Sequence, residues 1–259
     1  MGRMIRSASA SHKGLVRTDN EDVVVVENAH ALFAVVDGFG GAPAAAKAAA
    51  LAATTLVSFV DTSRRGAMPN LPWPYDDRLS PEANRLSMAV RGANAAVHGG
   101  FPGQAGRVGA TVAALALDDR FANIVHVGDA RVYRVRGNEM APLTRDHTRA
   151  TRLVDEGKLR PEDVRFHPEK KGLTLALGLA ADVRPAARVE QVMVGDLFLL
   201  CSDGLTDMLS EKRILEIITN VRSLPVAERL PRAAALLIDA ANGAGGEDNT
   251  SVVLVEISP

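Results

Sequence analysis

Cysteine and aromatic residues are both scarce in this sequence. Cys201 is the single cysteine among 259 residues, so no intrachain disulfide can form, and a reducing compartment, the cytoplasm, is expected. Aromatic residues make up 4% of the chain. Alanine, valine and leucine must therefore fill the core that a 47% hydrophobic content can build.

An excess of charge of either sign is also missing. Thirty basic residues face 31 acidic ones, for a net charge of −1, which gives no reason to expect a nucleic-acid or membrane-surface partner. No apolar run approaches the roughly 20 residues of a membrane span, and the N-terminal residues lack an apolar signal core. We expect a soluble, cytoplasmic monomer.

Short apolar runs and amphipathic stretches share the chain. The apolar runs predict strands at residues 23–26, 31–36, 111–117, 121–127, 131–135, 188–192, 197–201 and 250–257. Helical signals predict helices at 42–60, 81–98, 148–156, 211–219 and 227–240. Strands come in adjacent groups with helices between them, which predicts an α+β fold with helices covering sheet faces, in one domain spanning 1–259.

Two segments interrupt this pattern. Residues 61–80 are rich in proline and contain Trp73 and Tyr75, which predicts a loop or insertion. Its aromatic residues at 70–75 are either a partner surface or a packed loop. Residues 146–171 are strongly charged and weakly periodic, and their charge either selects substrates or is simply solvated.

Four aspartates recur in one local context, next to a buried strand and a turn. They are Asp37, Asp129, Asp203 and Asp248. Strand ends on a rigid sheet can direct several carboxylates to one point, and neighbouring glycines allow the backbone to come close. A single Asp-Gly is more often a structural turn. Only the four aspartates taken together indicate a functional site.

Clustered carboxylates indicate a site for hard divalent cations. They repel one another unless cations compensate, and Mg²⁺ and Mn²⁺ prefer such oxygen ligands. No Cys/His spacing suggests zinc. Two such ions can activate water for an in-line attack at phosphorus, which needs no nucleophilic side chain.

At these aspartates the sequence resembles a known family. The motifs are GLVRTDNED (14–22), DGFGG (37–41), GAT (109–111), VGDAR (127–131), LTRDH (143–147), LALG (175–178), SDGL (202–205) and EDNT (247–250). In this order, over about residues 9–257, they resemble the PP2C-type (PPM) metal-dependent protein serine/threonine phosphatases in their compact bacterial form. The resemblance implies a four-layer αββα sandwich, two central antiparallel sheets flanked by helix pairs, with a small flap at about 146–171.

The same resemblance implies the metal ligands. Two core ions, Mn²⁺ or Mg²⁺, would be bridged by Asp37, with the Gly38 carbonyl, Asp203 and Asp248 completing their ligands. Asp129 and Asp203 would reach a third, weaker ion.

It also implies roles for three residues around the ions. Glu21 and Asp22 would hold metal-bound waters. Arg17 would bind the substrate phosphate, because a guanidinium pairs with two phosphate oxygens; otherwise it is a surface cation.

One departure concerns the proton donor. Relatives often carry a histidine within or just after the DGxGG motif, where this chain has Phe39 and Ala42. A metal-bound water or another histidine would then protonate the leaving group. His147 and His12 are the candidates, although a histidine in such a position is more often an ordinary polar residue.

Three functions are compatible with these residues. The leading one is hydrolysis of phosphoserine and phosphothreonine in phosphoproteins, opposing a serine/threonine kinase in bacterial signalling. The second is a PP2C-like regulatory binding module with weak or lost catalysis, and the third is hydrolysis of small phosphoesters by the same ions.

Overall fold

Ten strands form two antiparallel five-stranded sheets. The computed structural model describes residues 4–66, 73–104 and 106–258. The strands are β1 (Met4–His12), β2 (Asp22–Glu27), β3 (Leu32–Phe39), β4 (Gly109–Leu117), β5 (Phe121–Val127), β6 (Arg131–Arg136), β7 (Glu139–Pro142), β8 (Ala186–Gln191), β9 (Leu197–Cys201) and β10 (Thr250–Ser258). The first sheet has the order β1-β10-β9-β6-β7, and the second has the order β2-β3-β4-β5-β8.

Within the described residues, six α-helices accompany the sheets. They are α1 (Ala44–Arg64), α2 (Pro81–Gly100), α3 (Arg149–Asp155), α4 (Asp203–Met208), α5 (Glu211–Asn220) and α6 (Val226–Gly243). Three of these helices begin at a side-chain N-cap. The hydroxyls of Ser80, Thr148 and Ser210 accept backbone N–H bonds at the starts of α2, α3 and α5.

Three apolar clusters define four layers. One joins α1 and α2 to the outer face of the second sheet, and another joins α5 and α6 to the first sheet. The third lies between the sheets, where Phe33 and Val35 of β3 face Phe198 and Leu200 of β9. Alternate residues of each strand thus serve alternate layers. The predicted αββα sandwich is confirmed.

The strand predictions were incomplete at three places. β1 and β7 were missed, because β1 alternates serine and alanine and β7 has only four residues. β3 continues through Gly38 and Phe39, so Asp37 lies inside a strand and not at its end. Asp203 is the first residue of α4, a helix that the sequence did not predict.

Helix α1 corrects the expectation about apolar runs. Its 21 residues include a stretch with a mean hydropathy of 1.3, so by length and composition alone it could cross a membrane. Its buried residues recur at helical spacing, and they pack against the second sheet and α2. They are Ala45, Ala48, Ala49, Ala52, Ala53, Leu56, Phe59, Val60 and Ser63. This packed face accounts for the apolar composition.

The two interrupting segments have different structures. Of the predicted insertion at 61–80, residues 61–64 instead continue helix α1, and residues 67–72 lie outside the described residues. After this gap, the guanidinium carbon of Arg91 lies over the ring of Trp73, 5.0 Å from the ring centre. Tyr75 is 51% exposed. The segment 146–171, called the flap below, contains α3 and two 3₁₀ turns, Pro161–Phe166 and Pro168–Lys171.

The inter-sheet core predicts a large difference between two phenylalanines. Phe198 is fully buried between the sheets, whereas Phe166 in the flap is 81% exposed. Phe198→Ala should lower the free energy of unfolding by about 3–5 kcal/mol, because it leaves a cavity. The matched control Phe166→Ala should stay within about 0.5 kcal/mol of the wild type. Urea unfolding followed by circular dichroism measures both, and equal losses would contradict this packing.

Candidate active site

A row of three oxygen-bearing side chains crosses the second sheet. Asp22 of β2 lies opposite Asp37 of β3, and Asp37 lies opposite Thr111 of β4. Asp22 and Thr111 are buried, and both Asp22 Oδ1 and Thr111 Oγ1 lack a hydrogen-bond partner. Buried oxygens of this kind are normally hydrogen-bonded. These two oxygens are therefore free to bind a water molecule or a cation.

Close backbone contacts bring further carboxylates to this row. A methyl group added at Gly38 would overlap the carbonyl of Ala45, so β3 meets the start of α1 directly. A methyl group at Gly204 would overlap the carbonyl of Asn249. Because Gly204 follows Asp203 and Asn249 follows Asp248, these two aspartates lie on backbones in direct contact.

One pocket of about 360 Å³ collects nearly all the predicted residues. Those that line it are Arg17, Glu21, Asp37, Gly38, Asp129, Asp203 and Asp248. Asp22 is not in the lining. It lies behind the pocket, where the hydroxyl of Ser202 donates to its Oδ2 at 2.8 Å. The four strand-associated aspartates thus face one space although they are far apart in sequence.

Burial and mutual repulsion raise the pKa values of Asp22 and Asp37. Burial, followed by the charges of Asp22, Asp203, Asp129 and Asp248, raises the pKa of Asp37 well above its usual value. Burial raises the pKa of Asp22 to about 6, although Ser251 and Ser202 act in the opposite direction. Carboxylates in this state are stabilised in ionised form by a nearby cation.

The donor chemistry of the pocket fits a hard divalent ion. It offers carboxylate oxygens, and the orphaned oxygen of Asp22 lies behind it. In the part of the chain that the structure describes, however, no three His, Cys, Asp or Glu side chains are already drawn together as a metal ligand set. A cation from the protein lies among the acids instead: Lys171 Nζ is 3.2 Å from Asp248 Oδ2 and 3.4 Å from Asp203 Oδ2.

Arg17 lies at the edge of the pocket with its side chain half exposed. Its Nη2 donates to Asp248 Oδ2 at 2.9 Å. The attraction of Asp248 outweighs partial burial and raises the pKa of Arg17, so it stays charged. Arg17 is therefore more than an unpaired surface cation, and a guanidinium has further N–H donors for a ligand in the pocket.

Asn249 holds the loop that carries Arg17, a role that its motif alone did not predict. Its Oδ1 accepts the backbone N–H of Glu21 at 2.7 Å. Its Nδ2 donates to the carbonyls of Lys13 and Asp19, both at 2.9 Å. The position of Asn249 in the EDNT motif was the only available signal. The side chain thus ties both ends of the 13–21 loop to the residue after Asp248.

Neither candidate histidine lines the pocket. His12 Nδ1 accepts the backbone N–H of Gly14 at 3.0 Å. His147 Nδ1 accepts the backbone N–H of Gly128 at 3.1 Å, and its ring stacks on His126 with centroids 4.6 Å apart. These contacts assign structural roles to both rings. Among the described residues that line the pocket there is no histidine.

Comparisons with known proteins place this geometry in a family. Residues 6–236 match the model of the protein phosphatase 2C family. The chain is 34% identical to the serine/threonine protein phosphatase PstP of Mycobacterium tuberculosis, over 98% of this chain and 45% of PstP. It is 32% identical to the protein phosphatase PhpP of Streptococcus pneumoniae, over 95% of this chain and 94% of PhpP.

A solved structure gives the same result. The catalytic domain of PstP in complex with two manganese ions superposes with a TM-score of 0.80 at 31% identity, covering 99% of this chain and all of that domain. This chain spans about half the length of full PstP. It belongs to the protein phosphatase 2C family, and the resemblance seen in its motifs is confirmed.

The stacked histidines predict acid sensitivity of the fold. Burial, followed by the neighbouring His126, lowers the pKa of His147 to about 4, below the ordinary value of about 6.5. Between these values the unfolded chain binds a proton that the folded chain does not. The free energy of unfolding should therefore fall as the pH drops from about 6.5 to about 4.

His147→Gln isolates this contribution, because the other titrating groups remain. Urea midpoints at pH 7 and pH 5, measured for wild type and variant in the same buffers, give the comparison. The decrease in the urea midpoint from pH 7 to pH 5 should be smaller in the variant than in the wild type. Equal differences would show that His147 does not titrate as its surroundings require.

Proposed function

We propose that this chain is a metal-dependent protein serine/threonine phosphatase and that the acidic pocket is its reaction centre. The observation that carries the proposal is the gathering of Asp37, Asp129, Asp203 and Asp248 with Arg17 around one space, in a member of the protein phosphatase 2C family. The two manganese ions bound by the related PstP domain support the same choice of cofactor.

Each pocket residue has a role in this proposal. Asp37, the Gly38 carbonyl, Asp203 and Asp248 would hold two Mn²⁺ or Mg²⁺ ions. Such ions, when bound, supply an activated water for attack at phosphorus. Glu21 and Asp22 would accept hydrogen bonds from waters bound to these ions.

Arg17 orients the phosphoryl group in this scheme. Its guanidinium can keep its bond to Asp248 while other N–H groups bind phosphoryl oxygens. The pocket is open enough for this, since the side chain of Arg17 is 50% exposed. Arg17 thus links substrate position to the ligand Asp248.

The substrates and setting belong to the same proposal. We infer phosphoserine- and phosphothreonine-containing proteins, targets of a serine/threonine kinase, in cytoplasmic bacterial signalling. The net charge of −1 and the buried, free Cys201 are compatible with a monomer in a reducing compartment that acts without nucleic acid or membrane.

Asp203→Asn tests the metal mechanism. The variant should lose more than about 100-fold of its Mn²⁺-dependent turnover of a phosphoserine peptide, because bound ions contribute several kcal/mol to the transition state. EDTA should abolish the wild-type activity. The matched control Asp155→Asn, at an exposed flap residue, should remain active.

Three outcomes would contradict the proposal. Retained turnover in Asp203→Asn would remove the metal mechanism. A folded wild-type chain without turnover would instead favour the regulatory binding module. Faster hydrolysis of small alkyl phosphoesters, whose leaving groups are as poor as serine, than of any phosphoprotein would favour the third function.

The missing histidine predicts a substrate preference. Serine and threonine are poor leaving groups that need protonation, whereas an aryl oxide does not. The wild type should therefore turn over an aryl phosphate faster than a phosphopeptide. Phe39 lines the pocket, so Phe39→His should raise phosphopeptide turnover by about tenfold or more and change aryl phosphate turnover little.

Phe39→Leu is the control for the loss of the ring alone. It should leave the ratio of the two activities unchanged. Phosphopeptide turnover by the wild type that matches its aryl phosphate turnover would count against a missing general acid.

A further inference from the structure

Lys171 is the flap residue that lines the acidic pocket. It ends the 3₁₀ turn Pro168–Lys171. Its Nζ lies 3.2 Å from Asp248 Oδ2 and 3.4 Å from Asp203 Oδ2. Two carboxylates that the proposed function assigns to the core ions therefore contact a cation that belongs to the protein itself.

A third carboxylate, Asp207 of α4, also holds the ammonium. Asp207 Oδ2 is 3.1 Å from Lys171 Nζ, and Asp207 Oδ1 is 3.3 Å from Nζ of the neighbouring Lys170. Asp207 borders a separate cavity between the flap and α4 and does not line the acidic pocket. The two lysines thus share Asp207, and of the two only Lys171 also lines the acidic pocket.

The ammonium keeps its charge and has room to move. Burial alone would lower the pKa of Lys171, but the combined attraction of the three carboxylates outweighs it and raises the pKa. The side chain of Lys171 is half exposed, whereas those of Asp203 and Asp248 are largely buried. Lys171 can therefore turn towards water, while the two buried carboxylates still require a cation.

A divalent ion in the pocket needs the same carboxylates. Mn²⁺ and Mg²⁺ bind such oxygens directly, and an ammonium on the oxygens of Asp203 and Asp248 repels a second cation there. The two interactions therefore oppose each other. By reciprocity, the factor by which the ammonium weakens ion binding equals the factor by which bound ions weaken the ammonium contacts.

We propose that Lys171 competes with the core divalent ions for Asp203 and Asp248, and so sets the free Mn²⁺ concentration at which the acidic pocket fills. The inference rests on the proposed metal-dependent function. An ammonium displaced from these two carboxylates keeps Asp207, which holds it beside the pocket. The charge of the flap thus regulates the site, whereas solvation alone would leave Lys171 free of the acids.

The affinity for Mn²⁺ tests the proposal without reference to activity. Isothermal titration calorimetry at pH 7.5 gives the dissociation constant of each variant. Lys171→Met should bind Mn²⁺ at least about tenfold more tightly than the wild type, because a cation in contact with both ligands is removed. Lys171→Arg keeps the charge and should return the constant towards the wild-type value.

Lys170→Met is the matched control, since it removes the same charge from the neighbouring residue, whose ion pair is with Asp207. Its dissociation constant should differ from that of the wild type by less than about threefold. Equal tightening in both methionine variants would reveal a general effect of charge and overturn the competition. No tightening in Lys171→Met would overturn it as well. Circular dichroism confirms that each variant is folded.

Acetylation by an N-hydroxysuccinimide ester shows whether the ammonium leaves the two ligands. Mass spectrometry of the wild type should find that Lys171 reacts several-fold faster with Mn²⁺ than without it. Lys158, which pairs with Glu156 in the flap, should react at the same rate in both conditions. An unchanged rate at Lys171 under saturating Mn²⁺ would contradict the proposal. If neither the wild type nor Lys171→Met binds Mn²⁺, the metal-dependent function itself fails, and calorimetry distinguishes that result.

Discussion

The pocket depends on holding several carboxylates together in a partly buried space. Burial first, and the neighbouring negative charges after it, make ionisation of these acids harder and raise the pKa values of Asp22, Asp37 and Asp129. Such an arrangement persists only if the backbone is rigid and cations compensate the charge. The chain supplies cations of its own in Arg17 and Lys171, and divalent ions complete the compensation.

The rigidity comes from the contact between the two sheets. Asp37 lies in β3 of the second sheet, and Asp129 lies in the turn that links β5 of the second sheet to β6 of the first. Asp203 follows β9 and Asp248 precedes β10, so both belong to the first. The apolar layer between the sheets therefore sets the distance between the two halves of the site. A loss of inter-sheet packing would separate the ligands even if every acid remained.

The sequence predicted the parts of this arrangement that have a local signal. Buried strands such as Phe121–Val127 and Leu197–Cys201 were found with their observed ends, since continuous apolar runs mark them. The edge strand β1 was missed because its Ser-Ala alternation has no apolar face strong enough to predict burial. A local pattern fails at an edge strand when, as in β1, no apolar face marks it.

The residues of the site also divide into those with a local sequence signal and those without one. The ordered motifs located the acids and Arg17, because each lies in a recognisable stretch of sequence. Lys171 and Asp207 were not singled out, since a lysine in a charged flap looks like a solvated residue. Only the fold brings Lys171 to Asp203, 32 positions away in sequence. Ion pairs between distant segments have no sequence signature, whereas turn glycines and apolar runs do.

The attachment of the flap explains how it can carry a charge into the pocket reliably. At its base, His147 and Gly128 exchange two contacts: the N–H of His147 donates to the Gly128 carbonyl at 2.9 Å, and the N–H of Gly128 donates to His147 Nδ1. Gly128 has a φ of +101° and lies against Thr111, where a side chain would overlap. A movement at this base would disturb the residue next to Asp129.

Different contacts hold the inner end of the flap. The half-exposed side chain of Lys171 is held by ion pairs to largely buried carboxylates, and Lys171 is not part of the apolar core clusters. Ion pairs of this type weaken with salt and with competing cations, whereas the base contacts do not. Neutral hydrogen bonds thus attach the base of the flap beside Asp129. Ion pairs, which salt and other cations can weaken, attach its inner end beside Asp203. That asymmetry makes its inner end, and not its base, the part that responds to the cation content of the pocket.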